Sequence, residues 1–189
     1  MAAEAGSYLT RLFEAVGATA ASGRGPAPVH LWNPAVCGDI DIRISRDGRW
    51  SYQGSPIGRP ELVRLFSTVL RRDEDGFWLV TPVEKLRIEV EDAPFLAVGL
   101  ERWGDLLRLA TNVGDVVEAG PGHPIRVETG EGGAPRPYLR VRGALDALIL
   151  RPVFYELVEM AEPIRTPQGL RLAVRSGSAW FDLGAVEDA

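Results

Sequence analysis

Cys37 is the only cysteine of the chain, and His30 is one of only two histidines. A catalytic thiol needs a base or a positive charge nearby to become thiolate. His30 lies upstream across Trp32-Asn33-Pro34, and Asp39 follows two residues after Cys37. That is a Cys/His/Asp set, but its spacing follows no established motif. A lone cysteine beside glycine at a strand start ordinarily packs as a small apolar residue. A thiol-dependent enzyme or redox protein using Cys37 is therefore an alternative reading, and no catalytic residue is assigned.

Asp39, Asp41 and Arg43 alternate on the next stretch and so share one side of a strand. Two carboxylates at i and i+2 suit a hard cation or a ligand rich in donors. They also occur on plain solvated strands, and Glu89 and Glu91 show the same spacing. Two histidines and one cysteine cannot make a standard zinc set, so neither a metal nor a cofactor is expected. Trp32, Trp50 and Tyr52 lie near Arg43, Arg49 and Arg59 in the sequence, and Arg140, Arg142, Arg151 and Tyr155 lie in the second half. Aromatic faces with forked guanidinium donors suit a nucleotide or another aromatic anion. Arg59-Pro60 and Arg151-Pro152 each precede a helical pattern, where an anion is also attracted. Thr81-Pro82-Val83-Glu84 closes an apolar strand and places Thr81 and Glu84 at its end. The expected ligand-binding set is Trp32, Asp39, Asp41, Arg43, Arg59, Thr81, Glu84, Arg142 and Arg151.

The elements that must carry these residues follow from hydrophobic period. Ser7, then Tyr8, Leu9, Leu12, Phe13 and Val16, reads as a short capped helix, and residues 17–28 as an Ala/Gly/Ser/Pro linker. Ile40, Ile42 and Ile44 form the apolar row of a strand, Asp47-Gly48 a tight turn, and Trp50 and Tyr52 the return strand. Pro60 opens a helix through Leu62, Val63, Leu65, Phe66, Val69 and Leu70, with Arg71 and Arg72 in its last turn. Strands follow near residues 77–81, 86–90, 95–100, 106–111, 115–118 and 124–128. Residues 129–137 read as a loop. Leu139 and Val141 start a second hairpin ending at Leu150, Pro152 opens a second helix, and two strands near residues 170–174 and 180–183 close the chain. Hairpin, Arg-Pro helix and antiparallel strands thus occur twice. The fold class is α+β: two similar halves, each with an antiparallel sheet and one helix, plus a short N-terminal helix. The segments are 1–28, 29–104 and 105–189.

Composition sets the outer limits. Acidic residues number 26 against 21 basic, a net charge of −5, which disfavours a polymeric nucleic acid partner. Lys85 is the only lysine, which leaves 20 arginines and no polybasic patch for a membrane surface. No apolar run approaches the roughly 20 residues of a membrane span, and no signal-peptide pattern is visible. The expected location is the cytoplasm.

The run WNPAVCGDIDIRISRDGRWSYQGSPIGRPELVRLF (residues 32–66), with LVTPVEKLRIEVEDAPF (79–95), resembles a bacterial family of unknown function, number 1285. TNVGD (111–115), HPIRV (123–127) and RPVFYELVE (151–159) resemble its second half. The resemblance implies a duplicated core of two α+β halves, the C-terminal one similar to pleckstrin-homology folds. It also implies a nucleotide-type ligand in the cleft between halves and a role in signal transduction. The chain has no Gly-rich phosphate loop, so side chains or isolated amides would hold any phosphate. The leading expectation is a ligand-binding regulatory module for a nucleotide-like or other anionic small molecule. The alternatives are a module docking a protein partner through the C-terminal half, and the thiol chemistry above.

Overall fold

The computed structural model of the chain describes residues 16–17, 26–167 and 169–185. The predicted N-terminal helix and linker lie outside them, except for Val16, Gly17 and residues 26–28. The described residues form fifteen strands and two α-helices. The chain divides into two units, Met1–Glu91 and Asp92–Ala189.

In the first unit, alternation makes β1 (Val36–Ile44) bury Ile42 and Ile44 and expose Asp39, Asp41 and Arg43. The Asp47-Gly48 turn forms as its residue types require. Gly48 takes a φ of 77°, and the Ser45 hydroxyl donates to Asp47 Oδ1 at 2.6 Å. That hydrogen bond holds the Asp47 carboxyl below its usual range, with help from the Arg49 N–H and guanidinium. β2 (Trp50–Tyr52) returns with Trp50 only 2% exposed, so this indole is hairpin core and not a stacking surface. β3 (Ser55–Pro56) ends the first meander.

Helix α1 (Pro60–Thr68) starts with proline in its first turn, where the missing N–H is harmless. It stops earlier than its apolar pattern suggests. The Ser67 and Thr68 hydroxyls donate back to the Arg64 and Leu65 carbonyls, each at 2.7 Å. Val69 is the C-cap. Arg71 and Arg72, expected in the last helical turn, therefore lie on β4 (Leu70–Asp73). β5 (Gly76–Val80) and β6 (Glu84–Val90) complete a six-stranded sheet in the order β3-β2-β1-β6-β5-β4.

The second unit repeats this plan. β7 (Phe95–Trp103), β8 (Leu106–Thr111) and β9 (Val116–Glu118) make one meander. β10 (Ile125–Thr129), β11 (Pro135–Arg142) and β12 (Leu145–Ile149) make the other. Their sheet runs β10-β11-β12-β7-β8-β9, the same topology read from the opposite edge. In each unit the first strand of one meander lies parallel to the last strand of the other: β1 to β6, and β12 to β7. The sheets are thus mixed, not purely antiparallel, because a crossover between meanders returns the chain to the centre in the same direction.

Helix α2 (Arg151–Glu159) follows the second meander, whereas α1 lies between the two meanders of its unit. The paired Arg-Pro sites are therefore not equivalent points of the duplication. They also differ locally: Arg59 is the extended N-cap of α1, and Arg151 is the first helical residue of α2. α2 buries Val153, Phe154 and Leu157 on the side that meets β7 and a third sheet. Each such side chain contributes about 1.5–3 kcal/mol of apolar burial. That sheet is β13 (Glu162–Thr166), β14 (Gly169–Ser176) and β15 (Ala179–Ala185). The buried Ser176 hydroxyl ties it to the second meander pair, accepting from Leu107 N–H at 2.9 Å and donating to the Ala119 carbonyl at 2.7 Å. Gly177 beside it takes a φ of 57°, and a Cβ there would sit 3.1 Å from Leu106 Cδ2, so a side chain at this position would be strained.

The expected boundary after residue 104 would cut the β7–β8 hairpin, where Trp103 pairs with Leu106 across the Gly104 turn. The division falls instead between Glu91 and Asp92, after the last strand of the first sheet.

Candidate functional site

β1 and β6 begin in register, with Asp39 opposite Arg87. They end with Arg43 opposite Glu89. Four steps along β1 therefore match two along β6, and β1 bulges beside Ile88. Bulges of this kind bend a strand and re-aim its side chains. Here the bulge opens a groove of about 400 Å³, walled by Asp39, Asp41, Phe77, Arg87, Ile88 and Glu89 among others. Ile88 and Val90 give it apolar surface, and Gly76 lies along it.

The charges around the groove are not equally available. Arg43 lies 2.7 Å from Glu91 and 3.5 Å from Glu89, so its guanidinium is already neutralised. Glu91 also accepts the Arg46 N–H at 2.8 Å. Arg87 donates to the Asp75 carbonyl at 2.8 Å and lies over the Trp78 ring. Asp39 and Asp41 are exposed. The opening row of β1 therefore separates into two free acids at the groove and one arginine held by glutamates.

The other expected site residues are placed as follows. Trp32 is half-buried and caps a 3-10 turn, Val29–Leu31. Its carbonyl accepts Arg71 Nη1 at 2.7 Å, as does that of Val29 at 2.9 Å. Thr81 is fully buried and is a turn former, not a ligand group. Its Oγ1 accepts the Glu84 N–H at 3.1 Å and donates to the Glu84 carbonyl at 3.2 Å. Glu84 is half-buried at the start of β6, and Arg59 is exposed. In the second unit Arg142 donates to Asp115 and stacks 4.8 Å from the Phe95 ring centroid, so it too is neutralised. Arg151 is exposed at the start of α2. Of the nine residues, the groove brings together Asp39 and Asp41. Cys37 is exposed on β1, and among the described residues its thiol has no hydrogen-bond partner.

Two charged clusters escaped the sequence reading. In the first unit Asp73 takes Arg71 Nε at 2.8 Å and Lys85 Nζ at 2.6 Å, and Lys85 sits 3.9 Å from the Trp78 ring centroid. Burial alone would raise the Asp73 carboxyl, but these two cations hold it below its usual range. In the second unit Asp146, 4% exposed, takes Arg140 Nε at 2.6 Å and Arg126 Nη1 at 3.0 Å. Tyr138 on the same sheet donates to Asp92 Oδ1 at 2.9 Å, and Arg136 pairs with the same carboxylate. Burial, then that hydrogen bond, pushes the Tyr138 phenol up to about 12. The signal for these clusters is cross-strand partnership, such as Arg140 with Asp146 and Arg71 with Trp78, which needs strand register to be seen. Among the described residues no group of three or more His, Cys, Asp or Glu side chains is placed to hold a metal ion. No described helix is long and apolar enough to cross a membrane.

Two meander pairs per chain, each closed by a parallel central pair, define a duplicated α+β protein of two units with an acidic groove in the first. Residues 27–93 match the model for "Domain of unknown function (DUF1285), N-terminal domain". Residues 94–183 match that for "Protein of unknown function (DUF1285), C-terminal domain". The chain belongs to the DUF1285 family. A crystal structure of a DUF1285 family protein from Silicibacter pomeroyi is similar at 50% identity and a TM-score of 0.80, covering 87% of this chain and 90% of that one. One from Shewanella baltica is similar at 29% identity and a TM-score of 0.52, covering 62% of this chain and 90% of that one. Comparison with curated proteins finds no match.

Proposed function

We propose that the chain is a ligand-binding regulatory module whose first unit holds a small molecule in the β1–β6 groove. The observation that carries this is the bulge opposite Ile88, which opens about 400 Å³ beside Asp39 and Asp41. That volume is in the range of small-molecule sites. The two carboxylates accept hydrogen bonds, so the ligand presents donors, as a nucleobase amine or a sugar hydroxyl does. An anionic tail has less support here, because Arg43 is matched to carboxylates and Arg87 is engaged by the Asp75 carbonyl.

The test is thermal stability of the purified chain against nucleosides, nucleotides, coenzyme fragments and simple organic ions. A ligand at 100 times its Kd adds about 2.7 kcal/mol, a shift of several degrees. The shift should vanish in the Asp39→Ala/Asp41→Ala variant, whose exposed positions leave folding within about 0.5 kcal/mol of the parent. A panel with no shift would remove the reading.

Docking of a protein partner is a second reading, favoured by one observation. The outer side of β7, β8 and β9 exposes Val98 (46%), Trp103 (57%) and Val116 (66%). Capture experiments with the parent and a Trp103→Arg variant test it; equal recovery of every captured protein would exclude docking there.

A further inference from the structure

We propose that the exposed outer side of β7 and β8 pairs with the same side of a second copy of this chain, about a two-fold axis running along the strands between them. This rests on the reading of that side as a docking surface and names its occupant. Trp103 is 57% exposed there, with Arg108 over one face of its ring at 4.3 Å from the centroid, so the other face is open. Three register pairs share this side of the sheet: Trp103 with Leu106, Glu101 with Arg108, and Gly99 with Ala110. Arg108 gives Nε and Nη2 to Glu118, which leaves Nη1. Glu101 is exposed, and among the described residues it has no ion-pair partner. The side is thus apolar at one end, carries an unmatched carboxylate beside a half-used guanidinium in the middle, and is flat at the other end, where no side chain exceeds a methyl group.

An axis along the strands, midway between β7 and β8, lays β7 of one copy over β8 of the other. Each register pair then meets its own inverse. Glu101 of one copy faces Arg108 of the other, Trp103 faces Leu106, and the flat Gly99–Ala110 ends come together with nothing to hold the sheets apart. Symmetry makes each of these contacts twice. An axis across the strands would instead lay Glu101 on Glu101 and Arg108 on Arg108, which repels. The axis along the strands also keeps the two sheets aligned, the packing that twisted sheets favour at about 10 Å separation. A dissimilar partner would need a basic group placed over Glu101 and an apolar one over Trp103; a second copy supplies both.

Sedimentation of the purified full chain is followed from about 1 μM to about 1 mM, and the parent is expected to pass from monomer to dimer within that range. Trp103→Arg, at an exposed position that leaves Tm near the parent's, should weaken the dimer about a hundredfold or more, because an aromatic anchor is lost from both copies. Glu101→Arg and Arg108→Glu should each weaken it about tenfold or more, since like charges then meet. An equimolar mixture of those two variants should restore association to near the parent's, because every facing pair is again of opposite charge. A monomer throughout overturns the inference, as does a dimer indifferent to Trp103→Arg or a mixture that associates no better than its components. Capture experiments separate this inference from the reading it rests on. A monomeric chain that captures a different protein through Trp103 overturns the second copy and leaves the docking surface standing. A monomeric chain whose captured proteins are all indifferent to Trp103→Arg overturns both.

Discussion

Asp146→Ala tests how the second unit tolerates a charge inside its sheet. The Asp146 side chain is only 6% exposed, and both of its arginine partners are a little over one third exposed. Hydrogen bonds to charged groups contribute about 1.5–3 kcal/mol each, and breaking a buried pair costs about 3–5 kcal/mol. Here the two guanidiniums can turn partly to water, and Arg140 keeps its bond to the Gly143 carbonyl. The expected loss is therefore near the lower end, about 3 kcal/mol. For a unit of this size that lowers Tm by roughly 10–20 °C. The assay is urea unfolding followed by circular dichroism, with the slope compared between variants to check that the unfolded state is unchanged. A double-mutant cycle with Arg140→Met should give a larger coupling than one with Arg126→Met, since the first contact is 2.6 Å and the second 3.0 Å. The surface pair Arg171–Asp182 is the control: Arg171→Ala should lose about 0–1 kcal/mol. A loss below about 1 kcal/mol for Asp146→Ala at constant slope would refute the reasoning, because it would mean that solvent already screens the cluster.

Two further outcomes follow from groups already placed. The Tyr138 phenol titrates at about 12 when folded, against about 10 when unfolded, so its contribution is complete below about pH 10 and is lost as pH rises toward 12. Urea midpoints between pH 9 and 12.5 should fall more steeply for the parent than for Tyr138→Phe; parallel curves would contradict the placement of the hydroxyl against Asp92. Arg71→Met leaves the Val29 and Trp32 carbonyls and Asp73 without their shared donor, at an expected loss of about 1–3 kcal/mol. Amide exchange should then speed up first around residues 29–32; unchanged exchange there would show that the 3-10 turn is held by something else.

The parts of the fold legible in the sequence are those set by local rules. The Ile40-Ile42-Ile44 row, the Asp47-Gly48 turn and the prolines at the starts of α1 and α2 all lie where side-chain alternation, turn chemistry and the proline ring put them. β3, β4 and β13 were not legible. Each is short, with no apolar alternation of its own, and exists because a neighbour offers it a ladder. β4 was also hidden by the helical spacing that runs on through Val69 and Leu70. At the groove, the exposure of Asp39, Asp41 and Arg43 was readable from period. The capture of Arg43 by Glu89 and Glu91 was not, because it depends on a two-residue slip between strands more than forty positions apart. Thr81 is the converse case: a polar residue closing an apolar strand reads as a ligand group, yet its hydroxyl is needed to close the turn.

The parallel pairs at the centre of both sheets also bear on how the chain is made. Each joins one of the first strands of its unit to emerge from the ribosome to one that emerges much later. β1 is complete at Ile44, but the strand that covers its free edge ends only at Val90; β7 likewise waits for β12. Until then the first meander of each unit carries a bare row of N–H and C=O groups, open to pairing with any other nascent chain. Closure at so long a sequence separation is a slow step. In each six-stranded sheet the last strand to be synthesised is thus the one that covers this edge and ends its exposure to aggregation.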